Sequence, residues 1–175
     1  MVDLGPNVSM QSWVSKVNKV SQEMFWEGIE PKNRETFKGD ALELLTEFLM
    51  KTSTLENNEG LLNYKNVRVE DDFGVDAIGE KNGISVVVQC KFRSNPLEEI
   101  FYSDLARTFC QGVLHFNLDK NASNNVWLVT TCKGANRNSI KILKDHLHVI
   151  NMSHLKKKLN GNVDFWRSFY ESVVE

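Results

Sequence analysis

Three polar residues in a short stretch of the sequence carry side chains that could act together in catalysis. Asp76 precedes a turn signal at residues 81–83, Lys-Asn-Gly, while Gln89 and Lys91 follow it with one residue between them. Side chains alternate faces along a β-strand, so Gln89 and Lys91 are expected to point the same way. Asn-Gly is typical of a tight hairpin turn, and such a hairpin places Asp76 next to them. We therefore expect a carboxylate, an amide and an ammonium group to converge.

This group of side chains suits the hydrolysis of a phosphodiester bond with the help of a hard divalent cation. Magnesium takes oxygen ligands and often only one or two carboxylates, with water and phosphate completing its shell. The bound cation neutralises charge on the phosphate and lowers the pKa of its water. Gln89 offers a neutral carbonyl oxygen, and the backbone carbonyl of Cys90 is a further candidate ligand. Lys91 would orient or deprotonate the water, or stabilise the charged transition state.

A structural role for the same residues is the alternative. An Asp near a turn often serves the turn itself, and Gln-x-Lys is common on the polar face of an edge strand. Here three valines at positions 86–88 precede Gln89, which favours a central strand covered on both faces. Lysine is rarely buried without a partner, so Lys91 on such a strand indicates a function.

The composition is that of an ordinary globular domain without a general affinity for polyanions. The chain has 175 residues, of which 41% are hydrophobic and 25% are charged, and its formal net charge is -2. This length favours one domain with a real core. Proteins that bind nucleic acid without selectivity are usually basic, so the charge weighs against that class. A local basic surface remains open, for instance around Lys133 and Arg137.

The cysteines and the N-terminus indicate an intracellular protein. Three cysteines, at positions 90, 110 and 132, include no CxxC pair and no metal-ligand spacing. Separated thiols in odd number are typical of a reducing compartment, so zinc is not expected. No signal-peptide pattern begins the chain, and its longest apolar run is too short to cross a bilayer. We expect a cytoplasmic protein, or a nuclear one in a eukaryotic host, with no membrane partner.

Hydrophobic periodicity predicts an α/β protein with a mixed sheet between layers of helices. Helices are expected from a cap at Ser9 or Ser12 onwards, and over residues 36–51, 103–116, 138–146 and 165–173. Strands are expected at residues 67–69, 75–78, 84–92, 126–131 and 148–151. We divide the chain into an N-terminal helical extension (1–35), a core (36–155) and a C-terminal helix that packs on the core (156–175).

Four segments of the sequence together carry a family resemblance. Residues 72–78 (Asp-Phe-Gly-Val-Asp-Ala-Ile) and 87–91 (Val-Val-Gln-Cys-Lys) resemble the catalytic core of Mrr-like restriction endonucleases, which belong to the PD-(D/E)xK nuclease superfamily. Residues 37–43 (Phe-Lys-Gly-Asp-Ala-Leu-Glu) resemble the start of the family's first core helix. Residues 126–131 (Val-Trp-Leu-Val-Thr-Thr) resemble its apolar strand that ends in Thr-Thr. The likeness extends over residues 36–155.

The resemblance implies a restriction-endonuclease-like fold, an α/β/α sandwich around a central mixed sheet in the order αβββαβ. It also implies an endonuclease that hydrolyses DNA with magnesium or manganese and leaves 5′-phosphate ends. Under this resemblance Asp76 is the central metal ligand and Lys91 is the catalytic lysine. Gln89 stands where many relatives have Glu, so the metal site has one negative charge fewer. Glu43 matches the helix glutamate that contacts the metal or its waters.

Two glutamates compete for this last position. The apolar stripe that we draw through Leu44 and Leu45 leaves Glu43 well away from its centre, whereas Glu47 lies nearer its edge. Glu43 fits the family pattern, and Glu47 fits the helix geometry. A solvated helix face is the structural alternative for both.

Three further polar residues are predicted to contact nucleic acid. Gln111 lies on the helix at 103–116 that follows the catalytic strand. Lys133 and Arg137 follow the apolar strand at 126–131. Polar, solvated surface is the structural alternative for all three.

The sequence leaves the substrate and the wider setting open. A structure-selective junction resolvase or an RNA endonuclease would use the same core. A nucleic-acid-binding module without activity is an alternative from another class. Selectivity would come from DNA shape, from a homodimer or from further domains. The chain would suit the nuclease part of a larger replication, recombination or defence protein.

Overall fold

A five-stranded mixed sheet lies at the centre of the computed structural model, which describes residues 8–57, 60–67 and 74–174. The strands are β1 (Leu62–Asn66), β2 (Ala77–Lys81), β3 (Ile84–Lys91), β4 (Glu99–Ile100), β5 (Val126–Thr130), β6 (Gly134–Ala135) and β7 (Leu147–Ile150). The helices are α1 (Met10–Trp26), α2 (Pro31–Asn57), α3 (Tyr102–His115), α4 (Arg137–Leu143), α5 (Met152–Leu159) and α6 (Val163–Val174). This arrangement confirms the predicted mixed α/β class.

The sheet changes from antiparallel to parallel pairing at its central strand. The strand order is β1-β2-β3-β5-β7, and β4 and β6 form a separate parallel pair. β1, β2 and β3 pair antiparallel, whereas β3, β5 and β7 run parallel. Parallel neighbours need a crossover connection, which α3 supplies between β3 and β5. β3 is thus a central strand, as the sequence predicts for residues 84–92.

A two-residue turn sets the register of the β2–β3 hairpin. Asn82 and Gly83 have positive φ angles of 51° and 76°, as a type I′ turn requires. The ladder that starts at this turn ends with the Ala77–Val88 pair. The Asp76 backbone nitrogen continues it by donating to the Val88 carbonyl at 2.9 Å. The predicted hairpin is confirmed, and it brings Asp76 to the end of β3.

Helices cover both faces of the sheet. Val86 and Val88 of β3 belong to the larger apolar cluster, which includes buried residues of α1, α2, α5 and α6. Leu105 of α3 and Leu143 of α4 pack with Leu128 on the opposite face. Because β3 side chains alternate between these layers, its odd-numbered residues face α3. Across the described ranges, no helix combines the length and the apolar character needed to span a membrane.

The structure decides between the two predicted caps of α1 and corrects the predicted bounds of α2. Ser9 rather than Ser12 caps α1, because its side chain accepts a hydrogen bond from the Ser12 backbone nitrogen at 3.1 Å. α2 begins at Pro31 rather than at residue 36, and it ends at Asn57 rather than at residue 51. Proline has the right φ angle for a first helical turn, where its missing N–H costs nothing. Pro31 therefore starts α2 five residues before the predicted beginning of this helix.

Two further elements differ from their prediction. β1 covers residues 62–66, before the strand expected at 67–69, and residues 68–73 lie outside the described residues. The region 156–175, predicted as one helix, holds the end of α5 and then α6. Asn151 caps α5 in a capping box with His154. The usual sequence signature of a capping box has Glu or Gln where this chain has His154. The start of α5 was therefore not predicted from the sequence.

Cysteine labelling tests the layering of the fold. Cys90 and Cys132 are buried, whereas Cys110 on α3 is exposed. Burial is the main cause that raises the pKa of the Cys90 thiol, followed by the negative charge of Asp76, so little reactive thiolate forms there at neutral pH. Iodoacetamide should modify Cys110 alone in the native protein and every cysteine in denaturant, as peptide mass spectrometry would report. Equally fast labelling of Cys90 and Cys110 in the native protein would contradict the layering.

Candidate active site

The predicted site residues meet in a cavity at the C-terminal end of β3. Its volume is about 220 Å³, and its wall consists of Gly74, Asp76, Gln89, Cys90, Lys91, Asp104 and Arg107. The segment before β2, the end of β3 and the first turns of α3 supply these residues. The structure therefore brings together the three residues from which the sequence argument began. Two charged residues of α3, Asp104 and Arg107, also line the cavity and were not predicted from the sequence.

Two hydrogen bonds hold the Asp76 carboxylate against β3. Its Oδ2 atom accepts from Gln89 Nε2 at 2.6 Å and from the Cys90 backbone nitrogen at 2.6 Å. Donors in this position stabilise the ionised carboxylate. Gln89 is only 5% exposed, so its amide forms hydrogen bonds with neighbouring groups of the protein rather than with solvent. Asp76 and Gln89 thus form one hydrogen-bonded unit.

Lys91 ends β3 with its ammonium group at the cavity. Its Nζ atom lies 3.9 Å from Asp104 Oδ1, and its side chain is 27% exposed. The backbone at this point is tied to β5, because the Thr130 hydroxyl donates to the Lys91 carbonyl at 2.6 Å. The Thr131 hydroxyl holds the backbone of Arg93 by donating to its carbonyl and accepting from its nitrogen. The strand end that carries the lysine is therefore fixed, while the ammonium group keeps access to solvent.

The first turns of α3 complete the cavity wall. The Thr108 hydroxyl lies 3.0 Å from Gln89 Oε1 and 2.7 Å from the Gly74 carbonyl oxygen. Asp104 stands one helical turn before it, and Arg107 is its neighbour in the chain. Residues three and four apart share one face of a helix. The spacing of positions 104, 107 and 108 is therefore the sequence signal that identifies these residues.

Gly74 allows the segment before β2 to lie close to α3. Its φ angle of +93° is one that side-chain-bearing residues rarely adopt. A Cβ atom at this position would also lie 3.2 Å from the Arg107 side chain. Glycine thus satisfies both a backbone and a packing requirement at the cavity wall.

Neither of the two candidate helix glutamates lines the cavity. Leu42 and Leu49 are among the buried residues of α2, whereas Leu44 is 41% exposed. The prediction that Leu44 and Leu45 both belong to the buried stripe of α2 is therefore wrong for Leu44. The true stripe lies directly beside Glu43, and both Glu43 and Glu47 are half-buried.

Electrostatic effects on two buried groups distinguish these glutamates. The pKa of the Cys90 thiol is raised by burial, then by the charge of Asp76, and also by that of Glu43. The pKa of the Tyr64 hydroxyl is raised chiefly by burial, then by Cys90, and also by the charges of Asp76, Glu43 and Glu47. Glu43 thus acts on the same two groups as Asp76. This favours Glu43 as the helix residue of the site, and its assignment stays a prediction.

Asp76 and the Cys90 backbone carbonyl present oxygen atoms of the kind that a hard divalent cation takes as ligands. The Gln89 amide nitrogen lies 2.6 Å from Asp76 Oδ2 and 3.4 Å from the Cys90 carbonyl oxygen, so these groups are neighbours. Within the described residues, no three His, Cys, Asp or Glu side chains gather as a metal-binding group. One carboxylate with neutral oxygens is enough for magnesium, which takes water and phosphate as further ligands. Asp76, Gln89 and the Cys90 carbonyl are therefore the groups that would hold Mg²⁺ or Mn²⁺.

The three predicted nucleic-acid contacts lie outside the cavity wall. Lys133 is exposed and pairs with Glu99 at 3.2 Å. Arg137 is exposed at the first residue of α4. Gln111 is half-buried, and its Oε1 atom is buried without a hydrogen-bond partner in the part of the chain that the structure describes. Their role in binding nucleic acid stays a prediction, and Arg107 is a cationic residue that does line the cavity.

Comparisons with known proteins add a distant structural similarity. No protein-family model and no curated protein matches the sequence. A solved structure described as the crystal structure of a protein of unknown function, AF1548, matches with a TM-score of 0.44 and 16% sequence identity. The match covers 65% of this chain and 61% of that chain. A likeness this distant supports no statement about fold family or activity.

Manganese binding tests the oxygen ligands of the cavity. Asp76→Asn removes the carboxylate that accepts from both Gln89 and Cys90, and it should weaken Mn²⁺ binding at least tenfold in a calorimetric titration, which corresponds to about 1.4 kcal/mol. Asp164→Asn is the matched control, because Asp164 is an exposed residue of α6 that pairs only loosely with Arg167 at 3.5 Å. Equal Mn²⁺ affinity in the two variants would contradict the site.

The same titration decides between the helix glutamates. Glu47 accepts hydrogen bonds from Lys51 Nζ at 2.5 Å and from Asn66 Nδ2 at 2.8 Å, so its carboxylate is engaged by cationic and amide groups outside the cavity wall. Glu43→Gln should weaken Mn²⁺ binding severalfold, because a negative charge near the cation is lost. Glu47→Gln should change it less. The reverse order of the two variants would assign the position to Glu47.

Proposed function

We propose that the chain is a DNA endonuclease that depends on Mg²⁺ or Mn²⁺ and has the restriction-endonuclease-like fold. One observation carries the proposal: Asp76, Gln89, Cys90 and Lys91 line a single cavity. Oxygen ligands beside an ammonium group provide what phosphodiester hydrolysis needs, which is a bound cation and a positive group at the reacting phosphate.

The order of the elements and the positions of the motifs support the same proposal. Apart from the two-residue β4, the elements from α2 to β5 follow one another as helix, three strands, helix and strand. Asp76 lies directly before β2, and Gln89 and Lys91 lie near the end of β3. Thr130, the first residue of the Thr-Thr pair, ends β5. An Asp followed by Gln-x-Lys on the next strand is the pattern that resembles Mrr-like restriction endonucleases.

The charges of the cavity make substrate binding depend on the cation. Asp76 and Asp104 carry two negative charges, and Lys91 and Arg107 carry two positive charges, so the side chains of the wall are neutral together. The whole chain has a formal net charge of -2, which provides no general attraction for DNA. A divalent cation would make the cavity positive, and a positive cleft attracts phosphate. We therefore expect DNA to bind more tightly when the metal is present.

Residues before β2, at the end of β3 and on α3 have separate roles in the proposed reaction. Asp76, Gln89 and the Cys90 carbonyl would hold the cation, which when bound neutralises phosphate charge and lowers the pKa of its water. Lys91 positions the attacking water and stabilises the negative charge that develops on the phosphate. The carboxylate of Asp104, 3.9 Å from the Lys91 ammonium group, keeps that group at the cavity.

The α3 side of the cavity would contact the substrate phosphate. The planar guanidinium of Arg107 can donate two parallel hydrogen bonds to the oxygens of one phosphate, which fixes its orientation. Attack by water opposite the 3′ oxygen then releases that oxygen and leaves the phosphate on the 5′ end, as the resemblance implies.

A plasmid cleavage assay tests the function through Lys91. Lys91→Ala should lower turnover about a hundred- to a thousandfold, because a positive group at the reacting phosphate is lost. Mn²⁺ binding should stay close to that of the wild type, because the oxygen ligands remain. Lys141→Ala is the matched control, since Lys141 is exposed on α4 and outside the cavity wall. Unchanged turnover in Lys91→Ala would remove the lysine from the reaction.

The choice of substrate in this assay separates the proposal from its alternatives. Closed circular DNA, linear DNA, a four-way junction and single-stranded RNA are each incubated with Mg²⁺, with Mn²⁺ and with a chelator. Metal-dependent cleavage of circular DNA supports the endonuclease. Cleavage of the junction alone would replace it by a resolvase, and cleavage of RNA alone by an RNA endonuclease. Binding without cleavage of any substrate would indicate a nucleic-acid-binding module.

A further inference from the structure

The hydroxyl of Thr108 is surrounded by more acceptors than it can serve. Its Oγ1 atom lies 2.7 Å from the Gly74 carbonyl oxygen, 3.0 Å from Gln89 Oε1 and 3.1 Å from the Asp104 carbonyl oxygen. A hydroxyl group carries one hydrogen and accepts through its lone pairs. If that hydrogen goes to the Gly74 carbonyl, the nearest of the three, then Thr108 can only accept from Gln89. In the structure, however, Thr108 faces the Gln89 Oε1 atom, which carries no hydrogen to donate.

The other end of the Gln89 amide faces two oxygen atoms. Its Nε2 atom donates to Asp76 Oδ2 at 2.6 Å and lies 3.4 Å from the Cys90 carbonyl oxygen. The partly positive nitrogen thus occupies the place beside the carboxylate where a cation would be expected. The two ends of a glutamine amide have nearly the same shape, so the side chain fits equally well when it is reversed.

Reversal of the amide would satisfy Thr108 and create a set of ligands. Nε2 would then donate to Thr108 Oγ1, whose hydrogen goes to the Gly74 carbonyl. Oε1 would face Asp76 Oδ2 and the Cys90 carbonyl. Oxygen atoms that converge in this way repel one another unless a cation lies between them, and magnesium prefers such ligands.

We propose that Thr108 is a positioning residue of the metal site: once the amide is reversed, the Thr108 hydroxyl accepts a hydrogen bond from Gln89 Nε2 and thereby holds the Gln89 oxygen toward the cation. This inference rests on the metal site of the proposed function. In the absence of metal the amide nitrogen stabilises Asp76, and in its presence the amide is reversed. Glutamate at position 89 would need no such partner, since both of its oxygens are ligands.

Burial makes the hydroxyl hard to replace. Thr108 is 0% exposed and Gln89 is 5% exposed, so water has little access to the amide. A buried amide hydrogen without an acceptor is costly. Removal of the hydroxyl should therefore favour the orientation in which the nitrogen remains on Asp76, and it should weaken metal binding.

Titration of Mn²⁺ into Thr108 variants tests this role. Thr108→Val keeps the shape of the side chain without the hydroxyl and should bind Mn²⁺ about five- to tenfold more weakly than the wild type. Thr108→Ser should restore the affinity to within about twofold. Thr52→Val is the matched control, because Thr52 also donates to the carbonyl four residues earlier in a helix, that of Phe48 at 2.9 Å. Its Mn²⁺ affinity should equal that of the wild type.

A second pair of measurements separates positioning from folding. In ¹⁵N-labelled protein, the side-chain amide resonances of Gln89 should move when Mg²⁺ saturates the wild type. In the Gln89→Glu background, Thr108→Val should change Mn²⁺ affinity less than twofold. Wild-type affinity in Thr108→Val, or Gln89 amide resonances unmoved by Mg²⁺, would overturn the inference while leaving the metal site intact. Absence of Mn²⁺ binding by the wild type would overturn the metal site itself.

Discussion

The register of the β2–β3 hairpin is the constraint on which the site depends. The Asn82-Gly83 turn fixes this register, and the Asp76 carboxylate then reaches the backbone nitrogen of Cys90 and the amide of Gln89. A shift of one residue would turn the whole polar set of β3 to the opposite face of the sheet. That face is filled by the apolar side chains of the larger cluster, where charged groups would be buried without water. Packing of the core therefore stabilises the same register that assembles the site.

Because Gln89 is neutral, the charged side chains of the cavity wall sum to zero, whereas a glutamate at this position would make the wall negative. The wall has two acidic and two basic side chains, so the cation rather than the protein would supply the positive field that attracts phosphate. A neutral amide also has two unlike ends, and its orientation has to be fixed by neighbours. Asp76 and Thr108 stand at those two ends. The importance we assign to Thr108 is thus a direct consequence of glutamine at position 89.

The sequence identifies the part of the site that depends on local structure. Strand alternation and one hairpin turn suffice to place Asp76, Gln89 and Lys91 together, because fewer than twenty residues separate them. The contribution of α3 depends on how a helix packs across the sheet, which periodicity does not describe. The stripe of α2 failed for a similar reason: Leu44 has the right character and spacing but is 41% exposed. Apolar pattern gives the period of a helix, while tertiary packing decides its rotation.

The central claim is that the oxygen atoms of Asp76, Gln89 and Cys90 form one site for a divalent cation. Anomalous X-ray scattering from crystals grown with Mn²⁺ tests it most directly, because the signal locates the ion without reference to activity. We expect one strong manganese peak in the cavity, bonded to Asp76 Oδ2, to Gln89 Oε1 with its amide reversed, and to the Cys90 carbonyl oxygen. A fully occupied manganese peak elsewhere with none in this cavity, or a cavity that stays metal-free at saturating Mn²⁺, would contradict the account.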